Sequence, residues 1–127
     1  MMQLKEDYDT AIMMITHDLG VIAEIARRIV VMYAGKVVEE GPTDAIFEDP
    51  KHPYTQGLLK SIPKLGERAK HGRQRLQEIS GIVPSLLALP IGCSFSPRCS
   101  HTMEICNHSV PELIRIDESR RVRCYLY

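Results

Sequence analysis

Four cysteines lie within the last 35 residues of the chain, and the 92 residues before them contain none. They are Cys93, Cys99, Cys106 and Cys124, separated by five, six and seventeen residues. Thiols grouped in one segment, in a chain whose first residues do not read as a signal peptide, indicate metal or cluster ligation before disulfides. No CxxC pair of a structural zinc site is present, and irregular spacing favours a loop around an inorganic cluster. Four unrelated buried thiols are the alternative, because free cysteine behaves as a small apolar residue.

A second candidate for chemistry is His17, which follows the apolar run Ala11–Ile15. This run has the length and pattern of a strand buried on both faces of a mostly parallel sheet. Ligands bind at the carboxyl edge of such sheets, where a histidine could donate a ring N–H to a transferred phosphoryl group. A local cap or a hydrogen-bonded core residue is about as frequent a role for a histidine at this position. Asp18 reads as a helix N-cap.

The elements around these residues follow from hydrophobic periodicity. From Asp18 onward, apolar residues recur with helical spacing as far as Ile29, which predicts a short amphipathic helix. Two strand-like runs, Ile29–Tyr33 and Lys36–Glu40, meet at Ala34-Gly35 and predict a β-hairpin, because glycine supplies the positive φ of a tight turn.

The second half of the chain is predicted to be less regular. Short helices are expected over Thr43–Glu48, which stops before Pro50, and over Tyr54–Ser61. Residues 64–78 carry five basic and two acidic residues and read as a solvated linker. Residues 79–90 are apolar but interrupted by glycine and proline, which predicts an irregular arm before the cysteine segment.

Composition excludes several classes of function. Sixteen basic residues balance sixteen acidic ones and aromatic residues are 6%, so neither charge nor stacking favours a nucleic-acid partner. The longest uncharged apolar stretches are far shorter than the ~20 residues of a membrane-spanning helix. We therefore expect a cytosolic chain of 127 residues, in which thiols stay reduced.

Three longer stretches resemble one branch of the ABC-transporter ATPases. ITHDLGVIAEIARRIVVMYAGKVVEEGP is similar to the loop that carries the switch histidine and to the two strands after it. EDPKHPYTQGLLKSIPKL and GIVPSLLALPIGCSFSPRC resemble the ATP-binding subunits of oligopeptide, dipeptide and nickel importers. The resemblance covers essentially the whole chain. It implies an α/β fold: the C-terminal part of a P-loop NTPase core, followed by an irregular cysteine-rich extension.

The resemblance also implies roles for individual residues. His17 would be the switch histidine that contacts the γ-phosphate of ATP, which is bound with magnesium. The four cysteines would hold a 4Fe-4S cluster, with zinc as the competing metal. Nearby arginines could offset the charge of a tetrathiolate cluster, although surface salt bridges are an equal alternative: Arg98, Arg121 and Arg123.

The implied organisation has three parts and several partners. Residues 1–63 would end the nucleotide-binding domain together with its following helices, 64–78 would be the linker, and 79–127 would form the family's C-terminal extension. The partners would be a second ATPase subunit and transmembrane permeases, at the cytoplasmic face of the membrane.

Other parts of an ATPase are missing from the sequence. It contains no GxxxxGK[ST] phosphate loop and no LSGGQ signature, and we expect these upstream in a longer parent chain. The isolated chain should therefore be inactive as an ATPase. Two other classes stay open: a free-standing metal-binding interaction module without ATPase activity, and a small redox protein.

Overall fold

A computed structural model describes residues 11–61 and 79–127 of the chain; the predicted linker 64–78 lies outside them. In chain order the helices are α1 (Leu19–Ile25), α2 (Thr43–Glu48), α3 (Pro53–Lys60) and α4 (Glu104–His108), with a 3₁₀ turn at Ser96–Arg98. The strands are β1 (Arg28–Tyr33), β2 (Lys36–Pro42), β3 (Ile114–Arg115) and β4 (Arg121–Val122). The fold is α/β in character, as predicted.

The predicted hairpin is confirmed. β1 and β2 pair antiparallel, and the turn between them places Ala34 at φ 47° and Gly35 at φ 78°. Two consecutive positive φ values match the twist of the flanking strands, which is why two-residue hairpin turns favour them. Along β1 the buried residues Ile29, Val31 and Tyr33 alternate with exposed ones, so one face of the hairpin carries the core.

The cysteine segment adds two strands to this hairpin. The sheet order is β1-β2-β4-β3, and every neighbouring pair is antiparallel. Val122 in β4 is fully buried and lies opposite Glu39 on one side and Ile114 on the other. Neither β3 nor β4 was predicted, because strands of two residues show no alternation of apolar and polar residues. The sheet therefore joins residues from both sides of the predicted linker.

The predicted helices are confirmed with small changes of boundary. Asp18 caps α1, since its carboxylate accepts the N–H groups of Gly20 and Val21 at 3.0 and 3.2 Å. α1 ends at Ile25, earlier than its periodicity indicates, and residues 79–90 are irregular as expected. Thr43 opens α2 and ties it to the end of α1, because its hydroxyl donates to Ala26 O at 2.5 Å.

The predicted strand Ala11–Ile15 is wrong for this structure. Residues 11–16 contain neither helix nor strand, and Met13 and Ile15 are 86% and 90% exposed. A strand of a parallel sheet exists only through hydrogen bonds to its neighbours, and no strand of the described ranges pairs with this run. The sheet that does form is antiparallel.

Glu40 joins three of the four strands through charge. Its Oε1 accepts hydrogen bonds from Arg28 in β1 and from Arg121 in β4, both at 2.8 Å. The Glu40 side chain is 9% exposed, whereas both arginines are about half exposed. The hydrogen bond from Arg121, with a further one from Arg28, holds the pKa of Glu40 below its ordinary value of 4.5.

Glu40→Gln tests this arrangement because it keeps the shape of the side chain and removes its charge. A carboxyl group with a lowered folded-state pKa stabilises the fold at pH values above its unfolded pKa, and this contribution fades as the pH falls through the folded pKa. We expect Glu40→Gln to lower the free energy of unfolding by about 1 kcal/mol at pH 7. In urea unfolding, the deficit should shrink below pH 4.5. Glu112→Gln, at an exposed residue, serves as the control; a pH-independent deficit for Glu40→Gln would contradict the assignment.

Candidate metal centre

Backbone contact brings two of the cysteines side by side. The N–H of Cys93 donates to the carbonyl oxygen of Cys106 at 2.8 Å. The preceding residue, Gly92, packs so close to the backbone around Cys106 that an added Cβ would lie 2.2 Å from the carbonyl oxygen of Cys106. Because the obstruction is backbone, only glycine fits there without separating the two thiol-bearing segments.

A 3₁₀ turn positions the third cysteine. The N–H of Ser96 donates to Cys93 O at 2.9 Å, and the N–H of Cys99 donates to Ser96 O at 3.3 Å. Beyond the turn, the N–H of His101 donates to the sulfur of Cys99 at 3.4 Å. Cys93 and Cys99 therefore lie at the two ends of one hydrogen-bonded turn.

The sheet positions the fourth cysteine. Just past β4, the N–H of Arg123 donates to Val38 O at 2.8 Å, which extends the pairing with β2 by one residue. Cys124 follows directly. Its place is thus set by the register of the sheet, not by the loop that holds the other three.

The four thiols are free and lie near one another. Cys106 is buried and the other three are half-buried. Burial raises the pKa of Cys124, and Cys99, Cys93 and Cys106 raise it further by their charge. Burial raises the pKa of Cys93 as well, with Cys106 and Cys99 adding to the effect. Each of these two thiols therefore lies within electrostatic range of the other cysteines.

This grouping is looser than the ligand shell of a single ion. Within residues 11–61 and 79–127, no three His, Cys, Asp or Glu side chains are close enough to form one. Four thiolates on one tetrahedral zinc ion would bring their sulfur atoms to about 3.8 Å from each other, given Zn–S bonds of about 2.3 Å. In the described part of the chain, the cysteines therefore do not form the ligand shell of one tetrahedral ion.

The three arginines near the cysteines have other partners. Arg98 donates to the carbonyl oxygens of Ile79 and Ser80 at 2.6 and 3.0 Å and lies 3.4 Å from the hydroxyl of Tyr33. Arg123 donates to the carbonyl oxygens of Val37 and Pro111. Arg121 forms the salt bridge to Glu40. Their role in offsetting cluster charge stays a prediction.

An aromatic group packs around the 3₁₀ turn between Cys93 and Cys99, which we call the cysteine turn. Phe95, at the start of the turn, is 3% exposed. Its ring centroid lies 5.2 Å from that of Tyr33, 5.5 Å from that of Tyr54 and 5.7 Å from that of His52. Edge-to-face aromatic pairs at these distances contribute about 0.5–1.5 kcal/mol each beyond the area they bury. Sequence reasoning missed Phe95 as a structural centre, since a single aromatic residue between two cysteines carries no pattern.

Glu39 holds the chain that leads into this aromatic group. It is fully buried, and its two carboxylate oxygens accept the N–H groups of Lys51 and His52 at 2.7 and 2.9 Å. The ring Nδ1 of His52 then accepts the N–H of Tyr54 at 3.0 Å and so caps α3. Burial lowers the pKa of His52 from 6.5 to about 4, so its imidazole is neutral at pH 7. A pair of glutamates following the apolar residues of β2 was the available signal for Glu39.

The structure does not bring His17 to the cysteines. His17 is exposed in the bend before α1, and within the described ranges it makes no hydrogen bond or ion pair. The neighbouring hydrogen bond runs from the N–H of Asp18 to the hydroxyl of Thr16 at 3.0 Å. Its contact with phosphate stays a prediction.

Known proteins match this chain along almost all of its length. The family model described as "Oligopeptide/dipeptide transporter, C-terminal region" matches residues 38–106. A putative peptide import ATP-binding protein of Brucella ovis is 47% identical over 126 residues, 98% of this chain. The oligopeptide transport ATP-binding protein AppD of Bacillus subtilis is 47% identical over 128 residues, all of this chain. The dipeptide transport ATP-binding protein DppD of Haemophilus influenzae is 44% identical over 125 residues, 98% of this chain.

The matched relatives are much longer. The chain spans 37%, 38% and 36% of the lengths of these three proteins, respectively. Of the helices in the described ranges, none has the length and apolar character needed to cross a membrane.

His52→Asn tests the buried histidine, because asparagine also caps helices but does not titrate. A histidine whose folded-state pKa is lowered stabilises the fold above its unfolded pKa, and that stability is lost as the pH falls towards the folded pKa. As the pH falls from 6.5 to 4, the free energy of unfolding of the wild type should therefore decrease by up to about 3 kcal/mol more than that of His52→Asn. Urea unfolding across this range measures the difference. If the unfolding free energies of the two proteins changed with pH in parallel, the lowered pKa of His52 would be contradicted.

Proposed function

Because the chain belongs to the oligopeptide/dipeptide transporter family, we propose that it is the C-terminal portion of the ATP-binding subunit of a peptide ABC importer. The match of the family's C-terminal region to residues 38–106 carries this proposal. Relatives named as peptide import, oligopeptide transport and dipeptide transport ATP-binding proteins support it, at 44–47% identity over at least 98% of the chain.

The proposal extends to organisation and partners. Residues 1–63 end the nucleotide-binding domain, 64–78 link it to the extension, and 79–127 form the extension. The complete subunit works with a second ATPase subunit and with transmembrane permeases. It acts at the cytoplasmic face of the membrane, peripherally, through those permeases.

In the complete subunit, His17 acts as the switch histidine. A ring N–H donated to the γ-phosphate stabilises the charge that develops on the transferred group, with no need for a nucleophile. The exposure of His17 beside the N-cap of α1 supports this role, because its ring is not committed to a local partner in the described ranges. ATP and magnesium also need a phosphate loop, which the sequence lacks.

The four cysteines hold a 4Fe-4S cluster, with zinc as the alternative. The donor set fits, since four free thiols converge and Gly92 leaves room for their backbones to approach. The irregular spacing of the four cysteines in the sequence favours the cluster, in which each thiolate binds a different iron atom. When bound, the cluster supplies four strong cross-links to a segment whose regular elements are at most five residues long.

Metal analysis of anaerobically prepared chain tests the cysteine site. We expect about four irons per chain and brown absorption near 400 nm, as the stoichiometry of the cluster requires. Each Cys→Ser change should lower the iron content and disorder the chain from Gly92 onward, whereas the matched exposed change Ser100→Ala should not. One zinc ion per chain without iron would show that the cysteines bind zinc and not a cluster. Four free thiols with neither metal would refute ligation.

ATP hydrolysis tests the role of His17. In the longer subunit, His17→Ala should lower turnover by roughly 10²-fold or more and spare much of the ATP binding, because the contact matters chiefly for the transferring group. His108→Ala, another exposed histidine, is the control. The isolated 127-residue chain should hydrolyse no ATP. Turnover by the pure chain would contradict the proposal.

A further inference from the structure

The segment that leads into the cysteines carries large apolar side chains that the fold leaves in solvent. Residues 79–91, which we call the apolar arm, belong to a stretch, 79–97, that contains no charged residue. Isolated apolar side chains are common on protein surfaces, whereas a contiguous exposed group marks an interaction site. Five large apolar side chains of the arm are between 59% and 99% exposed: Ile82, Val83, Leu86, Leu87 and Ile91.

A tight turn lies in the middle of the apolar arm. The N–H of Ala88 donates to Ser85 O at 3.0 Å, and the N–H of Leu87 donates to the hydroxyl of Ser85 at 3.3 Å. Leu86 and Leu87 therefore occupy the two central positions of a β-turn, where small, polar or proline residues are usual. Leu87 is 99% exposed, so neither the turn nor the core explains a leucine at this position.

The start of the arm is fixed to the folded part of the chain. Arg98 donates to the carbonyl oxygens of Ile79 and Ser80 at 2.6 and 3.0 Å. The next residue, Gly81, has φ 89°, and an added Cβ there would lie 3.1 Å from the Arg98 side chain. The side chain of Ile79 packs on Gly57 of α3. The leucine turn is thus carried on an anchored segment, which lowers the entropy lost when it binds a partner.

Basic side chains lie beside the start of the arm. A cleft between α3 and the cysteine turn is lined by Gly81 of the arm and by Lys60, Arg98 and His101. Among the described residues, no acidic side chain lines this cleft. The chain as a whole has no net charge, so the basic group is a local feature. It favours an anionic partner next to the apolar arm.

We propose that the apolar arm binds an anionic lipid surface. Leu86 and Leu87 enter the boundary between headgroups and acyl chains, and Lys60 and Arg98 lie near the headgroup phosphates. Apolar side chains combined with neighbouring basic ones are the usual composition of a surface that lies on a membrane without crossing it. A groove on another protein would accept the leucines, but the basic neighbours complement anionic lipid as well.

The composition of the arm suits this boundary. A charge carried out of water loses its hydration, and the arm carries none. Backbone N–H groups without a partner are also unfavourable there, and Pro84 and Pro90 have no N–H. The turn satisfies two further N–H groups through Ser85.

The inference goes beyond the proposed function. In that proposal the subunit reaches the membrane only through its permeases, whereas here the chain itself contacts lipid. The lipid contact requires neither ATP nor ligation of the cysteines. It can therefore be measured on the 127-residue chain alone.

Co-sedimentation of the chain with lipid vesicles tests the inference. Phosphatidylglycerol mixed with phosphatidylcholine provides the anionic surface, and pure phosphatidylcholine the neutral one. We expect binding to be about 30-fold stronger on the anionic vesicles, because each of two basic side chains contributes about fivefold. Raising the salt concentration from ~0.15 M to ~1 M should remove most of this difference, since the Debye length falls from about 8 Å to about 3 Å. Absence of binding to anionic vesicles would overturn the inference.

Substitutions in the arm identify the contact. Leu86→Ser combined with Leu87→Ser should weaken binding to anionic vesicles by at least about tenfold, because burial of a leucine corresponds to tenfold or more. Leu126→Ser, at another exposed leucine, is the matched control and should bind like the wild type. Lys60→Gln should weaken binding about fivefold on anionic vesicles and leave binding to neutral ones unchanged. Undiminished binding of the double leucine variant would show that the arm is not the contact.

Fluorescence gives a second readout that does not depend on the serine variants. The chain contains no tryptophan, so a single introduced one reports its own surroundings. On anionic vesicles, the emission of Leu87→Trp should shift to shorter wavelength and be quenched by lipids with brominated acyl chains. Leu126→Trp, the control, should show neither change. The same response from both variants would contradict insertion at the turn.

Sedimentation velocity without lipid separates the protein alternative. If the wild type forms a dimer that Leu86→Ser with Leu87→Ser abolishes, and vesicles bind nothing, the arm docks on a second copy of the chain and the lipid inference is wrong. Neither result affects the proposed function, which rests on the family match and not on contact with lipid.

Discussion

The buried carboxylate of Glu39 is the contact on which the other parts depend. A carboxylate removed from water is unfavourable unless its lone pairs are satisfied, and here both oxygens accept backbone N–H groups, from Lys51 and His52. This pair of hydrogen bonds fixes where the chain leaves α2 and enters α3. The direction of α3 then follows, because His52 caps it and presents Tyr54 to Phe95. Without Glu39, the segment that leads into α3 would lose its two hydrogen bonds to β2.

The cysteines are assembled by three kinds of local structure, not by one loop. A backbone hydrogen bond, possible only beside a glycine, joins Cys93 and Cys106. A 3₁₀ turn sets the distance from Cys93 to Cys99. The register of β4 on β2 delivers Cys124. Irregular spacing in sequence is thus compatible with convergence in space, since each interval is spanned by a different element.

Local signals in the sequence were enough to predict elements that carry their own capping and turn chemistry. Asp18 marked α1, and Ala34-Gly35 marked the hairpin, because both conformations are decided within a few residues. Interactions between distant residues could not be predicted in this way. The run Ala11–Ile15 looked like a strand but pairs with none in the described ranges, and β4 exists only because β2 offers it an edge. The partners of Glu39 lie twelve and thirteen residues away, beyond any local pattern.

The same contacts give the cysteine segment a physical connection to the other end of the chain. Phe95 packs on Tyr33, the last residue of β1, and Ile22 of α1 packs against the same core group. The hydroxyl of Thr43 binds Ala26 O and holds the end of α1 against α2. His17 stands two residues before Leu19, where α1 begins. The cysteine segment, by packing on the hairpin core, therefore also stabilises α1, the helix that follows His17. The cysteines and His17 are thus connected through packed residues, although they do not touch.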